Sequence, residues 1–202
     1  MIVRQTTIHR VIFAIALAAL ALVQTVRAAE TTAFDLIKEG NRYLGEEAKD
    51  KVVQIRSEKS VGALTPNIWY VVYYDPDATF KATEVKFGAG KKLSVKRPAR
   101  VLEFGTVEGK QLDRAKMKVD SDKALMIATA EPLLQNLKVN ASQMWLQRGK
   151  ETPGKEAPVV WKVRLWAVKL RNPERDADIG DVYISAEDGK VVRNDLHIDR
   201  VD

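Results

Sequence analysis

The chain contains no cysteine and only two histidines. The first absence excludes disulfides, thiolate nucleophiles, thiolate metal sites and thiol redox chemistry. His9 lies in an N-terminal segment with the layout of a leader, so the processed chain would keep one imidazole, His197, in a polar tail. Serine–histidine–aspartate chemistry would rest on that near-terminal residue, with no nucleophile motif beside it. A metal hydrolase would need a site built almost wholly from carboxylates. No glycine-rich phosphate loop is present. Nor does any apolar run reach the ~20 residues that a membrane-spanning helix needs. Together these absences point away from an enzyme, and no cofactor and no metal are expected.

The N-terminus carries a recognisable pattern. Arg4 and Arg10 precede thirteen uncharged apolar residues, Val11 to Val23, and Val26-Arg27-Ala28 places short apolar side chains at the two positions a signal peptidase reads. Residues 1–28 are therefore expected to be a signal peptide. Cleavage after Ala28 is favoured over Ala29, which would put Arg27 at a read position. The protein is expected in the periplasm or secreted, touching the membrane only through this segment if it stays uncleaved.

Removing the signal alters the charge argument. The whole chain has 33 basic and 27 acidic residues, a net charge of +6; taking away Arg4, Arg10 and Arg27 leaves 30 against 27, or +3. That is a mixed, solvated surface rather than a polyanion-binding one, and no nucleic-acid partner is expected. With no disulfide to help, burial alone must stabilise some 170 residues, enough for one large or two small domains.

Hydrophobic periodicity then organises the chain. Ala33 to Leu44 has helical spacing, with Thr31 or Thr32 as N-cap. Val52–Arg56, Ile68–Tyr74, Phe80–Phe87 and Lys91–Lys96 read as strands broken by Asp75-Pro76-Asp77 and Gly88-Ala89-Gly90. Residues 98–118 read as a linker. The order then repeats: a helix over Asp122–Ala130 with Ser121 as N-cap, then strands over Gln143–Gln147, Val159–Val168, Asp181–Ser185 and Lys190–Asn194. Asn172 to Asp178 reads as a charged turn. Trp69 and Trp161 lead matching strands, and Gly90-Lys91 and Gly189-Lys190 occupy matching turns.

The second half carries a family resemblance. Ser121, Ala124, Leu125, Ile127 and Ala128 in the helix, Trp161 in the long strand, and Val182, Ile184, Ala186, Gly189 and Val191 in the closing hairpin resemble a PepSY domain. Lys123, Ser185 and Asp188 depart from the usual residues of that pattern. Residues 30–97 resemble a degenerate copy. The resemblance implies an exported or envelope protein with a cystatin-like helix lying on an antiparallel sheet, binding peptides or proteins, peptidases among them. It carries no catalytic residues.

The fold class expected is therefore α+β, with two tandem units over 30–97 and 119–202, each one helix packed on its own three- to four-stranded antiparallel sheet. Asp188-Gly189, flanked by acids, could suggest a calcium loop. The positions that would supply further ligands are Ala186 and Ile184, so a hairpin turn is the better reading. The basic run Lys91, Lys92, Lys96, Arg97 and Arg100 reads as a solvated strand edge guarded against pairing, with an acidic partner or anionic lipid as the alternative. Strand alternation turns Trp69, Tyr73 and Trp161 inward and Tyr70, Tyr74 and Trp166 outward. Outward tyrosine and tryptophan are the types enriched at binding hot spots, so Tyr70, Tyr74 and Trp166 are the expected binding residues for a peptide or protein partner. The alternatives are a pocket for a small apolar ligand between helix and sheet, and a purely structural envelope component.

Overall fold

The computed structural model describes residues 31–97, 109–150, 153 and 156–202; the expected signal peptide, Arg100 and the first part of the expected linker lie outside them. Among the described residues two α-helices, α1 (Ala33–Gly40) and α2 (Ser121–Thr129), accompany eight strands: β1 (Val52–Ser57), β2 (Ile68–Tyr74), β3 (Ala82–Gly88), β4 (Lys91–Lys96), β5 (Val139–Arg148), β6 (Val159–Val168), β7 (Asp176–Ser185) and β8 (Val191–Leu196). All eight join one antiparallel sheet in the order β4-β3-β2-β1-β5-β6-β7-β8.

This corrects the expected fold class. The described residues do not form two units that each set a helix on a separate sheet; they form mainly one eight-stranded sheet with two short helices. The reason lies at the middle. As the first strand of a separate meander, β1 or β5 would expose a row of unpaired N–H and C=O groups. Pairing them with each other satisfies both rows. The shared ladder is short, Ile55 opposite Leu146 and Arg56 opposite Trp145. Side chains lengthen it: Met144 N–H donates to Ser57 Oγ at 2.9 Å and Gln143 Nε2 to the Ser57 carbonyl at 3.1 Å. Ser142 N–H donates to Ser60 Oγ at 2.9 Å, while Ser60 N–H donates to the Ser142 carbonyl at 2.8 Å.

Both helices lie on one face of this sheet. Leu36 and Ile37 from α1 and Ala124, Leu125 and Ala128 from α2 share a buried core with Ile55, Val71, Tyr73, Leu146, Trp161 and Val163 from the strands. Trp161 is fully buried; its indole N–H donates to the Val119 carbonyl at 2.8 Å, and its ring lies 6.3 Å from Phe34 and 6.5 Å from Trp69. Tyr73 donates to the Ile37 carbonyl at 3.0 Å, its hydroxyl lying against Gly40, where any Cβ would sit 2.1 Å from the oxygen. The glycine that weakens α1 as a helix is thus required by packing.

The helix caps differ from expectation. Thr32 occupies the N-cap position of α1 but makes no side-chain cap bond. The first amides of α1 donate instead across the molecule, Ala33 to Ser121 Oγ at 3.0 Å and Phe34 to Asp120 Oδ1 at 3.2 Å. Asp120, not Ser121, is the N-cap of α2. One short stretch therefore satisfies both helix starts. Helix α1 ends at Gly40, and Asn41–Tyr43 continues as a 3-10 turn.

The turns follow local chemistry more closely. Gly189 has φ of +77° between β7 and β8, and Asp188 Oδ1 accepts from Lys190 N–H at 3.2 Å. The expected charged turn at 172–178 is shorter, because Asp176 to Asp178 already belong to β7. A bulge there needs Gly180: its φ is +104°, and a Cβ would lie 2.1 Å from the Asp195 carbonyl oxygen. The later part of the expected linker is packed, with Leu112 and Met117 buried and Leu112 N–H donating to the Val52 carbonyl at 2.7 Å.

Candidate functional site

The face of the sheet opposite the helices carries an ordered row of side chains. Following the pairing register, Lys86 on β3 lies beside Tyr70 on β2, then Arg56 on β1, Trp145 on β5, Lys162 on β6, Tyr183 on β7 and Arg193 on β8. Cation and aromatic ring alternate across seven strands, over roughly 29 Å at the usual strand spacing. The row crosses the β1–β5 junction without a break in the alternation.

The cations sit over ring faces. Arg56 lies 4.1 Å and Lys86 5.0 Å from the Tyr70 centroid. Lys162 lies 5.1 Å from Trp145 and 6.0 Å from Tyr183, and Arg193 lies 3.9 Å from Tyr183. Such contacts contribute about 0.5–1 kcal/mol each when exposed. Because the flanking cations occupy the ring faces, the rings present edges rather than flat platforms. Stacking of sugars or bases, which needs a free face, is poorly served by this geometry.

Carboxylates neutralise the row from both sides. Glu84 pairs with Arg56; Glu58 accepts from Tyr70 and, at 3.0 Å, from Lys86. These two donors, Tyr70 first, hold the Glu58 carboxyl below its ordinary value. Asp181 accepts from Arg164 Nε at 2.9 Å and Lys162 at 3.2 Å. Burial pushes its pKa up, but the Arg164 hydrogen bond and the two positive charges outweigh burial and leave it lowered. Arg193 pairs with Asp195 at 2.8 Å. With Lys59–Asp176 at 2.5 Å and Arg164–Asp178 at 3.8 Å included, six cations meet six carboxylates. The face is ordered, aromatic and close to neutral.

The three expected binding residues divide. Tyr70 is half-buried at the centre of the row's first half. Trp166 is half-buried, and Lys59 lies 4.5 Å above its ring. It stands off the row, opposite Ala141 and Asp178. Tyr74 does point away from the helices, yet only 7% of it is exposed, because it packs with Val53 and Val72 in a separate small cluster. It is therefore removed from the contact surface. Sequence reasoning missed Trp145 and Tyr183. Alternation within 143–147 and 181–185 placed each on a strand, but their alignment with Tyr70 depends on inter-strand register. Compared with protein-family models, with curated proteins and with solved structures, the chain matches none.

Proposed function

We propose that this is an exported, non-catalytic protein that binds a peptide or protein of the cell envelope through the helix-free face of its sheet. The observation that carries this reading is the row Lys86–Tyr70–Arg56–Trp145–Lys162–Tyr183–Arg193. It presents aromatic edges and arginine, the types enriched at interfaces, on a surface already held in place by ion pairs. A preformed surface loses little side-chain entropy on binding. The near balance of charge suits a protein of mixed surface better than a polyanion. The resemblance of 119–195 to PepSY sequences adds support for a peptide or protein partner and keeps a peptidase among the candidates. A small-ligand pocket has less behind it, since Trp161, Phe34 and Trp69 occupy the space between helices and sheet.

The test is a crosslinking pull-down from envelope extract with the mature protein and a Tyr70→Ala/Trp145→Ala/Tyr183→Ala variant of matched secondary structure. The wild-type protein is expected to capture a partner in near-stoichiometric amount, and the variant to lose it. Recovery of the same partners by both would refute the face. Capture by neither would favour a structural envelope component.

A further inference from the structure

The two outer strands of the sheet are finished differently. On β8, Arg193 and Asp195 pair with each other, and the Leu196 N–H is already taken by Asn194 Oδ1 at 3.1 Å. That edge is partly closed by its own side chains. On β4, three of six residues are lysine, and Lys91, Lys92 and Lys96 have no acidic partner among the described residues. Lys92 instead lies 5.0 Å from the Tyr43 ring. Leu93 is 54% and Val95 40% exposed on the same strand.

Register places Lys91 opposite Gly88, Ser94 opposite Lys86 and Lys96 opposite Glu84. Glu84 and Lys86 belong to the helix-free face, so Lys91 and Lys96 flank that face at the sheet's end. Glu84 lies opposite Lys96 but pairs with Arg56, and no ion pair joins it to Lys96 among the described residues. Lysines guard an edge by repelling any strand that would bring like charge or leave them desolvated. The same lysines select a strand that carries acids, because main-chain pairing then brings charge complementarity.

We infer that β4 is a docking edge for an acidic extended segment of a partner protein, which adds as a ninth strand beside β4. Carboxylates at alternate positions of that segment face Lys91 and Lys96, and apolar side chains between them cover Val95 on the helix face, while Leu93 sits on the lysine face beside Gly88. Affinity comes from main-chain hydrogen bonds to the outer edge of β4, which pairs with no strand other than β3 among the described residues, and selectivity from the lysines. The inference does not rest on the sheet-face reading, since the row begins at β3 and none of its seven residues lies on β4.

The experiment uses the mature protein and two synthetic peptides of about eight residues, one alternating valine with glutamate and one alternating valine with lysine. Binding is followed by fluorescence anisotropy at low and high salt, and hydrogen exchange locates the protected amides. The glutamate peptide is expected to bind with protection confined to β4 and its β3 partner, and to weaken severalfold as salt is raised from 0.05 to about 0.5 M. Lys91→Glu/Lys96→Glu should weaken that peptide at least tenfold and gain affinity for the lysine peptide. These are exposed positions, and circular dichroism and a thermal melt check that the variant folds. No binding of the glutamate peptide, equal binding by the reversed edge, or protection at β8 would each overturn the inference. Loss of the envelope partner in the Tyr70→Ala/Trp145→Ala/Tyr183→Ala variant, with peptide binding intact, separates this edge from the sheet face.

Discussion

The two faces of the same sheet are built by opposite means. The helix-covered face is apolar and close-packed, with Trp161, Phe87, Leu146 and Val163 fully buried and α1 and α2 laid over it. The open face reaches order without a covering layer, by interleaving rings with cations and cations with carboxylates. The difference teaches where stability and recognition are separated. Burial on one side supplies most of the free energy of folding, roughly 25 cal/mol per Å² of apolar surface. Ion pairs and cation–π contacts on the other side add little each, yet hold many side chains in one arrangement. A surface of that kind can be altered to test binding without unfolding the protein.

Five measurements would break or sharpen this contrast. The largest effect is expected on the covered face. Trp161→Ala should cost about 3–5 kcal/mol by chemical denaturation, because it opens a cavity and orphans the Val119 carbonyl. A loss below 1 kcal/mol would mean that the core is not centred there. Next comes the most buried charge of the open face. Asp181→Asn should cost about 1.5–3 kcal/mol, since Arg164 and Lys162 lose a shared partner.

The same residue sets a pH dependence. Asp181 has a lowered pKa in the folded protein relative to the ordinary 3.8. Its contribution is therefore fully present above about pH 5 and is lost as pH falls through the lowered value. Unfolding midpoints measured from pH 6 down to pH 2 should fall more steeply for the wild type than for Asp181→Asn. Parallel curves would remove Asp181 from the account.

Asp120→Ala comes third, at about 1–2 kcal/mol, because its carboxylate accepts amides from both helix starts. Exchange should accelerate at the first turn of α1 as well as α2; an effect confined to α2 would show that the cross-cap is idle. The smallest effect is on the row itself. A double-mutant cycle of Tyr183→Ala and Arg193→Ala should give a coupling of about 0.5–1 kcal/mol. A coupling near that of Trp161 with its neighbours would erase the distinction between the two faces.

Legibility in the sequence followed range. Ile68–Tyr74 and Val159–Val168 were readable to the residue as strands, because β-branched and aromatic residues cluster there, and Lys91–Lys96 because it follows the Gly88-Ala89-Gly90 turn. Asp188-Gly189 was readable as a turn, because only a residue tolerant of positive φ fits there. The inward set Trp69, Tyr73 and Trp161 was readable from alternation, which has a fixed period of two. Tyr70 and Trp166 were placed on the correct face by the same rule, and so was Tyr74. Its burial was not readable, because it depends on Val53, brought alongside by a bulge in β1.

What the amino-acid sequence determined by itself was the set of strands, their turns and the face each side chain takes, all consequences of backbone sterics acting over a few residues. Tertiary structure alone decided that β1 pairs with β5, and everything that depends on that pairing. It merged the expected two sheets into one, set Arg56 beside Trp145, and carried Asp120 and Ser121 to the start of a helix 86 to 88 residues away. The physical reason is the demand for partners: unpaired strand edges and helix amides must be satisfied somewhere, and local pattern does not say by whom.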